Sequence, residues 1–254
     1  IFFRPWRTMP LVVAAEAVAQ ASSDVVRRVL KRNNKKEATG FPRKKVVHLL
    51  RHGEGEHNAA CDRAGCEDPY EDEQYFDATL TESGRRQAAL AGQAIAAFPL
   101  DLVVASPLTR ALHTAEIALR CWTEANSSAP PPKCVAVEWC REGMTYGVHP
   151  CNRRRPIAEV QQAFPRFDFS GVADESDCIW DPLRAESDQA VADRVAQFLE
   201  WLANRDEDVV LVSSHCVFLL HLLSGLGQTG DGFEVSWHTR GEVRTYVFTF
   251  EQRK

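Results

Sequence analysis

Long apolar runs are missing from this chain. No uninterrupted stretch reaches the length that spans a bilayer, so no membrane span is expected. An excess of positive charge is missing as well. The 30 Lys and Arg stand against 35 Asp and Glu, a net charge of −5, which argues against nucleic acid as the main partner. Paired cysteine motifs are absent: the eight cysteines (61, 66, 121, 134, 140, 151, 178 and 216) include no C-x-x-C. Several lie inside apolar runs, where free cysteine behaves as a small hydrophobe, so a disulfide framework is not expected and a reducing intracellular compartment is. No internal repeat is visible. What is present, 254 residues of which 44% are hydrophobic and 26% charged, suits one α/β domain with a sizeable core and an extension.

Charge locates that extension. Residues 1–45 carry 11 Lys and Arg against 3 Asp and Glu, which leaves 19 basic and 32 acidic residues for the rest of the chain. A basic arm over residues 1–43 and an acidic domain over 44–254 are therefore expected to be separate units. Leu11 to Leu30 is rich in Ala and Val and ends in Arg27, Arg28, Lys31 and Arg32, a pattern that predicts an amphipathic helix. The chain opens on Ile1, and its basic, acid-poor start fits the remains of an organelle-targeting segment as well as a helix packed on the domain's own surface. The compartment expected is the cytoplasm or, from that basic start, a mitochondrion or plastid. The arm is expected to dock on a partner protein or an anionic surface.

The domain is organised around Val46-Val47-His48-Leu49-Leu50-Arg51-His52-Gly53-Glu54. A short apolar, β-branched run reads as a buried strand, and Gly53 turns the chain where a ligand needs room. His48 should point into the core, on the opposite face from Leu49. A polar, acidic loop from Cys61 to Asp77 follows, read as solvated surface or as a lid. Thr81 predicts an N-cap for the next helix. A second strand runs from Leu100 to Ala105. Ser106 at the cap and Pro107 at the first helical position predict a helix that puts Arg110 in its first turn, where exposed amides attract anions. A third strand at Cys134–Glu138 leads to Arg141-Glu142-Gly143. After an irregular basic stretch, Gly147 to Arg155, Pro156 opens a short helix and a long helix spans Ala185 to Ala203. The strand Asp208 to Ser213 delivers Ser214-His215-Cys216, and Val243 to Phe250 closes the sheet. Alternating strands and helices predict a mostly parallel sheet covered on both faces, with ligands beyond the carboxyl ends of its strands. Arg51 and His52, Arg110, Glu142 and His215 each follow closely after a predicted strand.

Those residue types suit phosphoryl transfer. Arg51 and Arg110 can clamp oxygens that share negative charge, and a protonated His215 can add a third positive donor. His52, with its other ring nitrogen held by a backbone carbonyl, can attack phosphorus. Glu142 beside an anionic group should have a raised pKa, suited to protonating the leaving oxygen and then activating water.

The motifs Arg51-His52-Gly53-Glu54 with Asn58, Leu80-Thr81-Glu82-Ser83-Gly84 with Gln87-Ala88, Ser106-Pro107-Leu108-x-Arg110-Ala111 with Thr114-Ala115, and Ser213-Ser214-His215 occur in order from Lys44 to Phe250. Together they resemble the histidine phosphatase superfamily in its phosphoglycerate mutase-like branch. The resemblance implies a three-layer α/β/α fold, His52 as a phosphorylated nucleophile, Arg51, Arg110 and His215 as the phosphate pocket, and Asn58 as a supporting contact. Arg141-Glu142 looks like the segment bearing the acid, with Glu138 the runner-up to Glu142. No metal or cofactor is implied. The run Gly147 to Arg155 is similar to small phosphoglycerate mutase-like proteins of plants, algae and fungi, and the stretch Cys61 to Asp77 departs from the substrate loop of true mutases. A phosphatase acting on a small phosphorylated metabolite or a phosphopeptide is therefore expected. A mutase-type phosphotransferase, or a non-catalytic accessory subunit that keeps the fold, are the alternatives. In the Gly147–Arg155 run, Arg153, Arg154 and His149 are expected to meet a second anionic group of the substrate.

Overall fold

The computed structural model describes residues 11–17, 42–228 and 235–252. Its centre is one seven-stranded sheet. In chain order the strands are β1 (Leu11–Ala17), β2 (Arg43–Arg51), β3 (Leu102–Ala105), β4 (Lys133–Ala136), β5 (Val209–Ser214), β6 (Gly227–Gln228) and β7 (Val243–Gln252), arranged across the sheet as β4-β3-β5-β2-β7-β1-β6. The four strands from β4 to β2 are mutually parallel, whereas β7 runs antiparallel to both β2 and β1. The helices are α1 (Glu56–Ala64), α2 (Glu82–Ala94), α3 (Thr109–Ala125), α4 (Ile157–Ala163), α5 (Asp188–Ala203) and α6 (Cys216–Gly225). None is long and apolar enough to cross a membrane.

The parallel strands read as continuous apolar runs because both of their faces are covered. Along β2, Val47 and Leu49 join one core with Phe198 and Leu202 of α5 and Phe218 and Leu222 of α6. Val46 and Leu50 join a second core with Ala91 of α2 and Leu112, Ala115 and Trp122 of α3. The period-two alternation thus divides one strand between two layers of helix, which is the three-layer arrangement the sequence implies. His48 is fully buried as expected, bonded through Nδ1 to Thr245 Oγ1 at 2.8 Å, and burial lowers its pKa to about 4.

Three local expectations need correction. First, Leu11–Ala17 is a strand, not part of a helix. Val13 and Ala15, two positions apart, are both buried against the core that contains Phe248 and Phe250, which is the period of a strand and not of a helix. The rest of the expected helix lies outside the described residues. Second, α3 starts at Thr109 with Leu108 at its N-cap, later than Ser106-Pro107 predicts. The cap comes from a distant side chain: Asp77 Oδ1 accepts from Thr109 N at 2.9 Å and Oδ2 from Thr109 Oγ1 at 2.6 Å. Third, the acidic stretch after Cys61 is not all loop, because α1 extends to Ala64 and short 3-10 turns follow at Asp68–Glu71 and Glu73–Tyr75.

The sheet makes a stability prediction for the arm. Strand β1 pairs with β7 from Leu11 opposite Gln252 to Ala17 opposite Tyr246, and so covers an otherwise open edge. Val13→Asp should destabilise the domain by about 2 kcal/mol in denaturant unfolding, since it buries a charge without a partner. Deleting residues 1–17 should lower Tm and promote association through the uncovered edge. Unfolding curves that superimpose on wild type for both variants would show that this pairing contributes nothing.

A candidate active site at the carboxyl edge of the sheet

The carboxyl ends of β2, β3 and β5 carry the site residues to one edge. Arg51 is the last residue of β2, His215 directly follows β5, and Arg110 lies in the first turn of α3 after β3. The turn that leaves β2 is tight. A Cβ on Gly53 would lie 2.3 Å from Gly84 O, and one on Gly84 would lie 2.1 Å from Glu54 O. Both positions therefore need glycine. Neighbouring side chains fix this turn: Gln87 Oε1 accepts from Glu54 N at 2.8 Å, Thr81 Oγ1 donates to Glu54 Oε1 at 2.6 Å, and Thr114 Oγ1 accepts from Gly53 N at 3.0 Å.

His52 is buried with a defined tautomer. Its Nδ1 is 2.7 Å from the carbonyl of Gly53, which can only accept, so Nδ1 carries the proton. Nε2 then holds the lone pair and accepts from Arg110 Nε at 3.2 Å. Arg110 is buried and also donates to the carbonyl of Cys151 and, through Nη2, to Asn152 Oδ1 at 2.8 Å. The His215 ring lies 5.0 Å from that of His52, and its Nε2 is 2.8 Å from Ser106 Oγ. Arg51 donates from Nη1 to the carbonyl of His238 at 2.7 Å. Asn58 accepts from Gly55 N at 3.0 Å and donates to Tyr70 Oη at 3.1 Å.

Three buried polar atoms beside this set have no partner among the described residues: Arg51 Nε, His57 Nδ1 and His215 Nδ1. His57, 6.2 Å from His52 ring to ring, was not assigned from sequence, although it directly precedes Asn58. The signal for it lies in Gly55, where a Cβ would fall 2.5 Å from the His57 ring. Ser106 and Asn152 are further residues whose role the sequence did not reveal.

Burial first, and then the charges of Arg110 and Arg51, push the His52 pKa well below its ordinary 6.5. His57 is lowered by burial and by Arg110 and Arg240. His215 is lowered by burial, Arg110 and His52, which favours a neutral ring over the third cation the sequence suggests.

The carboxylates also separate. Glu142 Oε1 accepts from Gly143 N and Val217 N, each at 3.0 Å, which seats it at the N-terminus of α6 directly after His215. Arg194 braces its backbone, donating to the carbonyls of Trp139, Arg141 and Glu142. Glu138 is committed elsewhere: it receives Arg141 Nη1 at 2.6 Å and lies 3.2 Å from Arg154 Nε. The runner-up is thus part of an ion cluster.

Arg154 does not face a substrate, contrary to expectation. Its side chain is buried and donates to Glu138 and to the carbonyls of Asp174, Glu175 and Ser176, so it organises a neighbouring loop. Arg153 donates to Glu73 at 2.7 Å and lies over the rings of Phe76 and Trp180. His149 lies 3.2 Å from Glu71 and 5.0 Å, ring to ring, from Tyr70. The arginines of this run are therefore paired within the protein.

Residues 47–127 match the family model of the histidine phosphatase superfamily (branch 1). A phosphoglycerate mutase-like protein of Arabidopsis thaliana is 35% identical over 208 residues, 72% of this chain and 75% of that one. The ecdysone phosphate phosphatase of Bombix mori, solved in complex with tungstate, shares the fold with a TM-score of 0.53 at 17% identity, over 78% of this chain and 87% of that one. Phosphoglycerate mutase from Bacillus anthracis shares it with a TM-score of 0.51 at 17% identity, over 84% and 93%. This chain belongs to the histidine phosphatase superfamily, as an enzyme of the phosphohydrolase or mutase kind.

Asp177 allows a pH test of the bracing around the site. Its carboxylate takes both Nη atoms of Arg141 at 2.7 Å and Arg154 N at 2.6 Å. Burial raises its pKa, but the hydrogen bonds and charge of Arg141 outweigh this and hold it at about 2, below the usual 3.8. Its contribution to stability is therefore present above pH 3.8 and lost as pH falls toward 2. Asp177→Ala should cost about 3 kcal/mol at neutral pH by leaving Arg141 underpaired. The variant should also lose less stability than wild type between pH 4 and pH 2, measured by chemical denaturation.

Proposed function

We propose that this protein is a phosphatase that hydrolyses a phosphomonoester through a phosphohistidine on His52. The observation that carries the reading is the His52 imidazole itself, held by Gly53 with Nε2 unprotonated, beside the buried donor Arg51 Nε and the ring nitrogens of His57 and His215 that lack partners among the described residues. A buried site with more donors than acceptors calls for an anion. Phosphoryl oxygens supply acceptors for Arg51 Nε, Arg110 Nε and His215 Nδ1.

In the first step Nε2 of His52 attacks phosphorus and the ester P–O bond breaks. The electron pair leaves with the oxygen, which takes a proton from Glu142. In the second step water attacks the phosphoryl group, its proton passes to Glu142, and the P–N bond breaks to restore neutral His52 with inorganic phosphate. The cationic side chains stabilise the charge spread over the equatorial oxygens. Hydrolysis is favoured over mutase-type transfer because Arg153, Arg154 and Arg155 are engaged with Glu73, Glu138, Asp77 and Glu159. A mutase needs free cations to hold the remote anion of its acceptor.

His52→Ala should lower kcat by at least about 1000-fold and abolish an acid-labile phosphoprotein trapped by rapid quench. In single-turnover phosphorylation of His52, Glu142→Gln should slow esters with poor leaving groups by about 100-fold while affecting p-nitrophenyl phosphate little, because only the former need the proton, and it should slow hydrolysis of the phosphohistidine alike for both. Near-normal turnover by the His52 variant, or equal losses on both ester types in the phosphorylation step for Glu142→Gln, would overturn the respective role. Turnover should persist in EDTA and be blocked by vanadate.

The depressed His52 pKa sets a pH dependence. The free enzyme already holds His52 neutral below the ordinary histidine value of 6.5. kcat/KM, corrected for ionisation of the substrate, should therefore not fall as pH drops through 6.5. A decline with that midpoint would show a nucleophile of ordinary basicity.

A further inference from the structure

Two aromatic side chains remain exposed beside this site. Tyr146 is 73% exposed and Trp237 48%, yet they contact each other with ring centroids 6.1 Å apart. They come from different loops, and each loop is attached to the site. Tyr146 follows Glu142 by four residues. Trp237 directly precedes His238, whose carbonyl accepts from Arg51 at 2.7 Å.

Both loops are braced in a way that presents these rings. Arg244 donates to Ser236 Oγ at 2.9 Å and to the carbonyl of Trp237 at 3.0 Å, and it is itself held by Glu242 at 2.6 Å. Gly241 N bonds the carbonyls of Arg51 and His52, tying the same loop to the end of β2. On the other side, Met144 N bonds Glu186 at 3.0 Å, and Gly147 adopts a φ of 155°. A Cβ on Gly147 would fall 2.7 Å from the His149 ring, so the turn after Tyr146 needs glycine. Firm presentation of two large rings to water is unusual for a surface with no ligand to meet.

The charged groups near the mouth are already engaged. Arg153 is paired with Glu73, Arg155 lies 3.4 Å from Asp77, and Arg240 pairs with Asp62 and lies 3.6 Å from Glu54. A second anionic group on the substrate would have to break one of these pairs, whereas an apolar ring would meet surface that is available.

We propose that Tyr146 and Trp237 form a stacking rim for the leaving group, so that the preferred substrate is a phosphomonoester of a flat, apolar, ring-bearing alcohol or phenol. This rests on the phosphatase reading of the His52 site. The phosphate is held at the strand ends and the ring leans on the aromatic pair, which contributes mostly to KM. Tyr146 and Trp237 are specificity residues and take no part in the chemistry.

The test uses the full chain and two non-hydrolysable probes, methylphosphonate and 1-naphthylmethylphosphonate, with affinities measured by titration calorimetry. Tyr146→Ala and Trp237→Ala should each weaken the naphthyl probe by about 3- to 10-fold and leave methylphosphonate unchanged, with Tyr146→Phe retaining wild-type affinity. In turnover, the same two alanine variants should raise KM for 1-naphthyl phosphate with kcat unchanged, and leave glycerol phosphate unaffected. Equal affinity of wild type for the two probes, or variants that affect neither, overturns the stacking rim while leaving the phosphatase reading intact. Variants that weaken both probes equally mean that the aromatics support the anion pocket, and also overturn the rim. Failure of both probes to bind, together with no turnover of either ester, overturns the pocket reading and the rim with it.

Discussion

A guanidinium buried without a bonded carboxylate governs this site. Arg110 is 1% exposed, and its hydrogen bonds go to a histidine nitrogen, a carbonyl and an amide oxygen. Desolvating a permanent cation is costly, and neutral acceptors offset only part of that cost. The field of this cation has two consequences. Burial is the main reason that His52, His57 and His215 stay uncharged, and Arg110 adds to it by opposing the protonation of each. Arg110 also leaves the site short of negative charge, so an anion entering it gains more than it would at the surface. On the proposed mechanism, the charge that adds to burial in keeping His52 neutral is also the charge that would draw a phosphate into the site.

Much of this was legible in the sequence because local signals and tertiary demands coincide there. The run Val46 to Leu50 is apolar at every position but His48, which is what a strand covered on both faces requires, and Gly53 marks the turn. Thr81, Gly84, Gln87 and Thr114 recur in the motifs for a reason now visible: their side chains, or in one case the lack of one, close the turn behind His52. Other features had no local signal. The cap of α3 comes from Asp77, 32 positions away, so a helix start read from Ser106 and Pro107 alone falls too early. The strand at Leu11–Ala17 exists because β7 leaves an edge to fill, and helix propensity in an Ala-rich segment gives no view of that edge.

Charge was the least legible property. Taken singly, the acidic stretch Cys61 to Asp77 reads as solvated surface or as a lid, and the basic run Gly147 to Arg155 as a contact for a second anionic group of the substrate. In the fold they face one another, with Glu71 at His149, Glu73 at Arg153 and Asp77 at Arg155. Tyr70 joins the same seam, set between the rings of His57 and His149 while its hydroxyl meets Asn58. The segment that departs from a mutase substrate loop is therefore tied to the segment that follows Glu142. Several of these pairs are half exposed and individually weak. Their effect comes from number and from the rings they flank. They also explain why Arg153 to Arg155 are poor candidates for gripping a remote anion.

The geometry of the nucleophile adds a last step. The Nε2 lone pair of His52 accepts from Arg110 Nε–H, so on the proposed mechanism attack on phosphorus requires that donor to move onto a phosphoryl oxygen. A neutral ligand offers little in return for the lost bond, whereas a phosphate ester supplies a charge-assisted acceptor at the moment the lone pair is freed. His215, bonded to Ser106 through Nε2, has no partner at Nδ1 among the described residues and so would meet a phosphoryl oxygen without breaking a bond. Ligand selection and activation of the nucleophile are then the same displacement: the site exposes its reactive nitrogen to the ligands that can satisfy its arginine.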